Sequence, residues 1–173
     1  MNESNQKWVG KKIKITMNIH LLRHAKTEQQ SNSGKDFDRK LKERGIEQSK
    51  EMAQFLVKQG TEGVETWCST AKRTKETFSY LSDALKPSHL EFMDDLYLCE
   101  QETFLKKLWN LNQPNDLFII GHNDGLSDLA TDFADELIHL STCEYICFSF
   151  PADSWAELSR GTGIITNRFR PQA

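Results

Sequence analysis

The segment Leu117-Phe-Ile-Ile120 is apolar at every position. A strand with no polar alternate face must be covered on both sides, which is the situation of a central strand in a parallel sheet. Residues 19–22, inside Met17-Asn-Ile-His-Leu-Leu-Arg23, read as a second strand of that kind. Around them the pattern alternates between two periods. Glu43 to Gln59 carries Ile46, Met52, Ala53, Leu56 and Val57 at roughly helical spacing, with Gly60 as its stop. Val64 to Cys68 predicts a strand, followed by a helix from an N-cap at Ser69 or Thr70 to about Leu85, closed by Pro87. Leu90 to Met93 reads as a strand, Thr103 to Leu111 and Leu126 to Phe133 as helices, and Glu144 to Phe150 and Gly163 to Phe169 as strands. The expected architecture is α/β: a three-layer sandwich with a central, largely parallel sheet of about six strands and helices on both faces.

A chain of 173 residues is the length of one ordinary domain. Residues 17–173 are read as that domain. Residues 1–16 are read as a flexible N-terminal extension, because a second methionine, Met17, stands just before the first strand. Composition removes several classes of function. A net charge of −3 gives no basic footprint for nucleic acid. Mean hydropathy is −0.61, no apolar run approaches the roughly 20 residues of a membrane span, and the start lacks the apolar core of a signal peptide. The expectation is a cytoplasmic protein without membrane or nucleic-acid partners. Cys68, Cys99, Cys143 and Cys147 form no CxxC pair, so they are read as small buried hydrophobes or unreactive thiols and not as a zinc site.

In a parallel α/β sheet, ligands bind beyond the carboxyl ends of the strands. The first strand ends in Arg23-His24. The second runs into Ser69-Thr-Ala, with Arg73 on the first turn of the next helix, and residues 117–120 run into Gly121-His122. Two arginines and two histidines thus converge on one sheet edge. That set suits phosphoryl transfer, whose transition state spreads negative charge over three oxygens and is stabilised by positioned cationic donors. Arginine offers a fixed fork that matches phosphate, and a histidine can serve as nucleophile. Any one of these residues alone has a plainer reading, a structural histidine or a surface arginine; it is the combination that carries the chemistry. His20 and His24 are four apart but lack the glutamate of the HExxH zinc motif and lie on a strand, so no metal is expected.

Longer stretches then carry a resemblance. Leu21-Leu-Arg-His-Ala-Lys-Thr27 resembles the Arg-His-Gly signature of the histidine phosphatase superfamily, and more closely the Leu-Arg-His-Ala-Lys form of its short SixA-type phosphohistidine phosphatases. Asp36-Phe-Asp-Arg-Lys-Leu41 with Arg44-Gly45, Ser69-Thr-Ala-Lys-Arg73-Thr-Lys-Glu-Thr77, and Gly121-His-Asn-Asp-Gly125 are similar to further motifs of that branch, in the same order. The resemblance runs from about Met17 to Pro171. It implies His24 as the catalytic nucleophile, with Arg23, Arg73 and His122 binding the phosphoryl oxygens, and no metal or other cofactor. Ala25, Lys40, Thr70 and Asp124 depart from the pattern without removing a catalytic group. A neutral His24 is expected, its tautomer fixed by a backbone carbonyl and its pKa lowered by the nearby arginines. Asp124 is expected to point away from the site, and Arg39 either to reach the phosphate or to pair with a neighbouring acid.

The general acid is the gap. Larger members use a carboxylate after the third strand, and here Leu98 stands near that place. Glu100 is the candidate substitute, although its plainer role is a charge at a helix N-terminus. An alkyl phosphate needs a proton donor for its poor leaving group, whereas the P–N bond of a phosphoramidate is labile and its imidazole can be protonated before departure. The expected function is therefore a metal-independent phosphatase acting on phosphohistidine in a protein, such as a histidine-phosphotransfer-like domain, and working as a monomer. A phosphomonoesterase for a small phosphorylated molecule and a non-catalytic phosphohistidine-binding module are the alternatives.

Overall fold

The structure, a computed structural model, describes residues 16–173. Almost all of the segment read as an extension lies outside the described residues. Strand β1 (Met17–Arg23) leads through a long connection to α1 (Glu43–Gln59). Then β2 (Glu65–Ser69), α2 (Lys72–Leu85), β3 (Leu90–Met93), α3 (Gln101–Trp109), β4 (Leu117–Gly121) and α4 (Gly125–Ala134) alternate. The described chain closes with β5 (Tyr145–Phe150) and β6 (Ile164–Phe169).

The six strands form one sheet in the order β3-β2-β4-β1-β5-β6. The first four are mutually parallel, while β5 runs antiparallel to β1 and β6 antiparallel to β5. The expected sandwich is present, with a parallel centre and an antiparallel flank. The apolar runs explain the layering. Leu117 and Ile119 of β4 enter one core with Phe104, Leu108, Leu129 and Phe133 from α3 and α4. Phe118 and Ile120 enter a second core with Met52, Leu56, Phe78 and Leu81 from α1 and α2. Each face of β4 is thus sealed by a helix pair, and no polar position on it could be tolerated. Among the described residues no helix is long and apolar enough to cross a membrane.

Helix ends show where local signals were overridden. Gly60 closes α1 in the left-handed region, as its position predicts. Helix α2 does not begin from a side-chain cap at Ser69 or Thr70; its N-cap is Ala71. Both hydroxyls are engaged elsewhere, Ser69 Oγ with His122 and Thr70 Oγ1 with Asp94. Helix α3 starts two residues before the predicted Thr103. His20 is a sheet-face residue. Its Nδ1 lies 2.7 Å from the Tyr145 hydroxyl, and burial, opposed by Asp116, lowers its pKa to about 4.

The first turn of α1 locks the segment after β1. Lys42 N–H donates to the Lys26 carbonyl, and Lys26 N–H donates to Gln48 Oε1. Gly45 sits against this segment, and a Cβ there would overlap the Lys26 carbonyl oxygen. Because the obstacle is backbone, the Gly45→Ala protein is expected to lose about 3 kcal/mol, the upper end of ordinary overpacking. Urea unfolding measures this, and a loss below about 1 kcal/mol would show that the segment yields freely.

Candidate active site

The strand order brings the site together. In the parallel register Arg23 faces Gly121 across β1 and β4, and Cys68 faces Ile120 across β2 and β4. The residues that follow, His24, Ser69 and His122, therefore emerge side by side at the carboxyl ends of three neighbouring strands. They open into a cleft of about 340 Å³ whose lining includes Arg23, His24, Arg39, Arg73 and His122, with Asp36 as its one acidic side chain.

His24 is buried. Its backbone N–H donates to the Gly121 carbonyl, and its Nδ1 lies 2.8 Å from the Ala25 carbonyl. A carbonyl only accepts, so Nδ1 carries the proton and Nε2 carries the lone pair. The Ala25 peptide is itself fixed, since its N–H donates to Thr77 Oγ1, and Thr77 donates to the Arg73 carbonyl. The threonine of the Ser69–Thr77 stretch thus serves the nucleophile's orientation. The His24 pKa lies well below the ordinary value for histidine. Burial contributes most, and His122, Arg73 and Arg23 lower it further, against the backbone hydrogen bond to Ala25. The arginines lower it as expected, and burial in low dielectric adds the largest share.

Arg73, also buried, donates from Nε to His24 Nε2 at 3.2 Å. Arg23 donates from Nη1 to the Leu140 carbonyl, which also accepts from Asn123 Nδ2. The His122 ring lies 5.2 Å from that of His24, and its Nε2 is 2.8 Å from Ser69 Oγ. Burial, reinforced by Arg73 and only partly opposed by Asp36, lowers the His122 pKa to about 3. Arg23 Nε and His122 Nδ1 are the buried side-chain atoms, among the described residues, that have no hydrogen-bond partner. Unsatisfied buried polar atoms are costly, and two of them in one cationic cleft mark a place prepared for an anion.

The structure thus gathers Arg23, His24, Arg73 and His122, all four of the residues picked out from the sequence. It also adds two that were given no role. Asp36 accepts hydrogen bonds from Arg73, Arg39 and the Tyr97 hydroxyl. Burial alone would raise its pKa, but these hydrogen bonds and the Arg73 charge hold it well below the usual carboxylate range. Tyr97 also stands edge-on to His122, 5.5 Å between ring centroids. Arg39 resolves both of its expected alternatives, pairing with Asp36 and lining the cleft.

The candidate acid falls outside the cleft. Leu98 lines the cleft near the place of a general acid, while Glu100 is exposed at the N-cap of α3 and lines a neighbouring depression with Asp124 and Asp128. Asp124 is exposed and does not line the cleft; burial lowers the pKa of Arg23, and the Asp124 charge only partly opposes it. Burial pushes the Cys68 and Cys143 thiols up to about 12, which keeps them unreactive. Among the described residues no group of three or more His, Cys, Asp or Glu side chains is placed to hold a metal ion.

Residues 19–101 match the family model of the histidine phosphatase superfamily, branch 1. Among solved structures, one described as phosphohistidine phosphatase SixA from Nakamurella multipartitia superposes with a TM-score of 0.77 at 20% identity, covering 92% of this chain and 98% of the other. The protein histidine phosphatase SixA complexed with tungstate gives a TM-score of 0.75 at 19% identity, covering 89% and 97%. A structure described as an α-ribazole-5′-P phosphatase from Escherichia coli gives 0.62 at 16%, covering 78% and 91%. At these identities the likeness is one of fold. An uncharacterised chloroplastic protein of Arabidopsis thaliana is 25% identical over 154 residues, 83% of this chain and 71% of the relative.

Proposed function

We propose that the chain, whose residues 19–101 match the histidine phosphatase superfamily, is a phosphohistidine phosphatase of that family working through a covalent intermediate on His24. The observation that carries the reading is the state of His24: its proton is held on Nδ1 by the Ala25 carbonyl, and its Nε2 lone pair faces a cleft lined by arginines. His24 Nε2 attacks phosphorus, the P–N bond of the substrate breaks, and the departing imidazole takes a proton from water. Water then attacks phosphorus, the P–Nε2 bond breaks, and inorganic phosphate leaves with neutral His24 restored. Arg23, Arg73 and His122 bind the phosphoryl oxygens, and Arg73 Nε–H transfers from the nucleophile's lone pair to one of them as the P–N bond forms.

Two features support phosphohistidine over an alkyl phosphate. Leu98 lines the cleft near where the resemblance puts the proton donor of larger relatives, and an imidazole leaving group can be protonated from solvent before it departs. The long β1–α1 connection and the β3–α3 connection each hold only one short 3-10 turn, so neither inserts a helical cap over the cleft. A protein surface can then reach His24. One SixA neighbour is named a phosphohistidine phosphatase and another a protein histidine phosphatase, which agrees with this reading. In the same reading the protein acts as a monomer, without a metal ion, in a reducing compartment such as the cytoplasm, where its four free cysteines persist.

The test compares a phosphorylated histidine-phosphotransfer domain with sugar phosphates, each with and without EDTA. The phosphohistidine protein is expected to turn over at least about 100-fold faster in kcat/KM, with no effect of EDTA. Equal rates would overturn the substrate assignment, and loss of activity in EDTA would overturn the mechanism. Glu100→Gln is expected to change phosphohistidine turnover by less than about threefold, because its carboxylate lies outside the cleft. A loss of several orders of magnitude would instead make it the missing acid.

A further inference from the structure

We infer that Asp36 is the positioning residue of the site: it clamps one edge of the Arg73 guanidinium so that the other edge is presented at His24. The inference rests on the function proposed above. A guanidinium has two hydrogen-bonding forks, one end-on through Nη1 and Nη2 and one side-on through Nε and Nη2. Asp36 takes the end-on fork twice. Arg73 Nη1 donates to its backbone carbonyl at 2.8 Å, and Arg73 Nη2 donates to its Oδ2 at 3.0 Å. The side-on edge is left facing the nucleophile, with Nε 3.2 Å from His24 Nε2. A phosphoryl group arriving at Nε2 brings an oxygen beside that edge.

Asp36 is itself held. The Tyr97 hydroxyl donates to Oδ2 at 2.7 Å, and Arg39 Nη1 donates to Oδ1 at 2.8 Å. Arg39 is anchored in turn on Thr27 Oγ1 and the Glu28 carbonyl. One carboxylate therefore ties the segment after β1 to α2 and to the loop after β3. The Arg39 contact is local to the 3-10 turn at Asp36, whereas those with Arg73 and Tyr97 join segments 37 and 61 positions apart and fix the relative placement of elements.

The electrostatics make the role distinguishable from mere anion binding. Asp36 is the one acidic side chain lining a cationic cleft, and it repels a phosphoryl dianion at every stage of the reaction. Its benefit must come from alignment, which matters most when the three equatorial oxygens spread in the transition state. Removing its charge should therefore help ground-state anions and harm the transition state.

The experiment measures inorganic phosphate and vanadate binding by calorimetry, together with kcat and KM for an aryl phosphate, in the wild type and in Asp36→Asn and Tyr97→Phe. Vanadate takes the five-coordinate geometry of the in-line transition state, and phosphate does not. Asp36→Asn is expected to bind phosphate at least as tightly as the wild type, to bind vanadate about 10-fold more weakly, and to lose about 30-fold in kcat without a rise in KM. Tyr97→Phe should shift each quantity in the same direction by a smaller factor. Parallel loss of both affinities would mean general disruption of the site, and a kcat within threefold of wild type would mean that Arg73 needs no clamp; either overturns the inference. If the wild type turns over no phosphate ester or phosphohistidine, the proposed function fails, while the phosphate and vanadate comparison still decides the role of Asp36.

Discussion

Replacing His24 with alanine lowers aryl phosphate hydrolysis by at least about 10⁴-fold, because no other group in the cleft can form the covalent intermediate. The activated aryl leaving group needs no proton donor, so the measurement isolates the nucleophile and its pocket from the question of the general acid. Rapid acid-free quenching of the wild-type reaction should trap a phosphoryl group that is stable in base and labile in acid, and the variant should trap none. The same environment sets the pH response. A buried histidine whose folded pKa is depressed stays neutral as pH falls through 6.5, so the nucleophile remains competent there. Protonation of His24 therefore leaves kcat/KM unaffected near pH 6.5, and the nucleophile's own limb appears only in more acidic solution. Residual activity within tenfold of wild type would show that phosphoryl transfer goes directly to water.

Where the sequence was legible, the reason is physical. A strand sealed on both faces has to be apolar at every residue, so β4 could be read directly and its carboxyl end located. Once β1, β2 and β4 were placed, the rule that ligands sit beyond strand ends brought Arg23, Ser69, Arg73 and His122 to one edge. The part that stayed hidden depends on contacts between distant segments. Asp36 meets Arg73 across 37 positions and Tyr97 across 61, and nothing in local pattern reports such pairings. The cap of α2 was misplaced for the same reason, since Ser69 and Thr70 have the right chemistry for capping but their hydroxyls are drawn away by His122 and Asp94. The arginines' lowering of the His24 pKa was legible in the sequence, but the larger effect of burial was not, because depth of burial is a property of the assembled sheet.

Arg73→Lys is expected to reduce kcat/KM by about 10²–10³-fold even though it conserves the charge, which corresponds to roughly 3–4 kcal/mol of lost transition-state stabilisation. The native side chain reaches His24 Nε2, the Asp36 carbonyl and Asp36 Oδ2 at once, through three different nitrogens of one rigid plane. An ammonium carries its donors on a single atom and cannot span those partners. Whichever one it chose, the others would be released: His24 would lose the donor that marks the phosphoryl position, or Asp36 would keep only Arg39 and Tyr97. Comparing Arg73→Lys with Arg73→Ala separates charge from geometry. If charge dominated, lysine would restore most of the activity that alanine loses. If the fork dominates, the two variants fall within about tenfold of each other. Removing the cation altogether also takes away a repulsion that lowers the pKa of both histidines, so the alanine protein should show its acid limb at higher pH than the lysine protein. That shift is a second readout, which loss of folding alone would not produce.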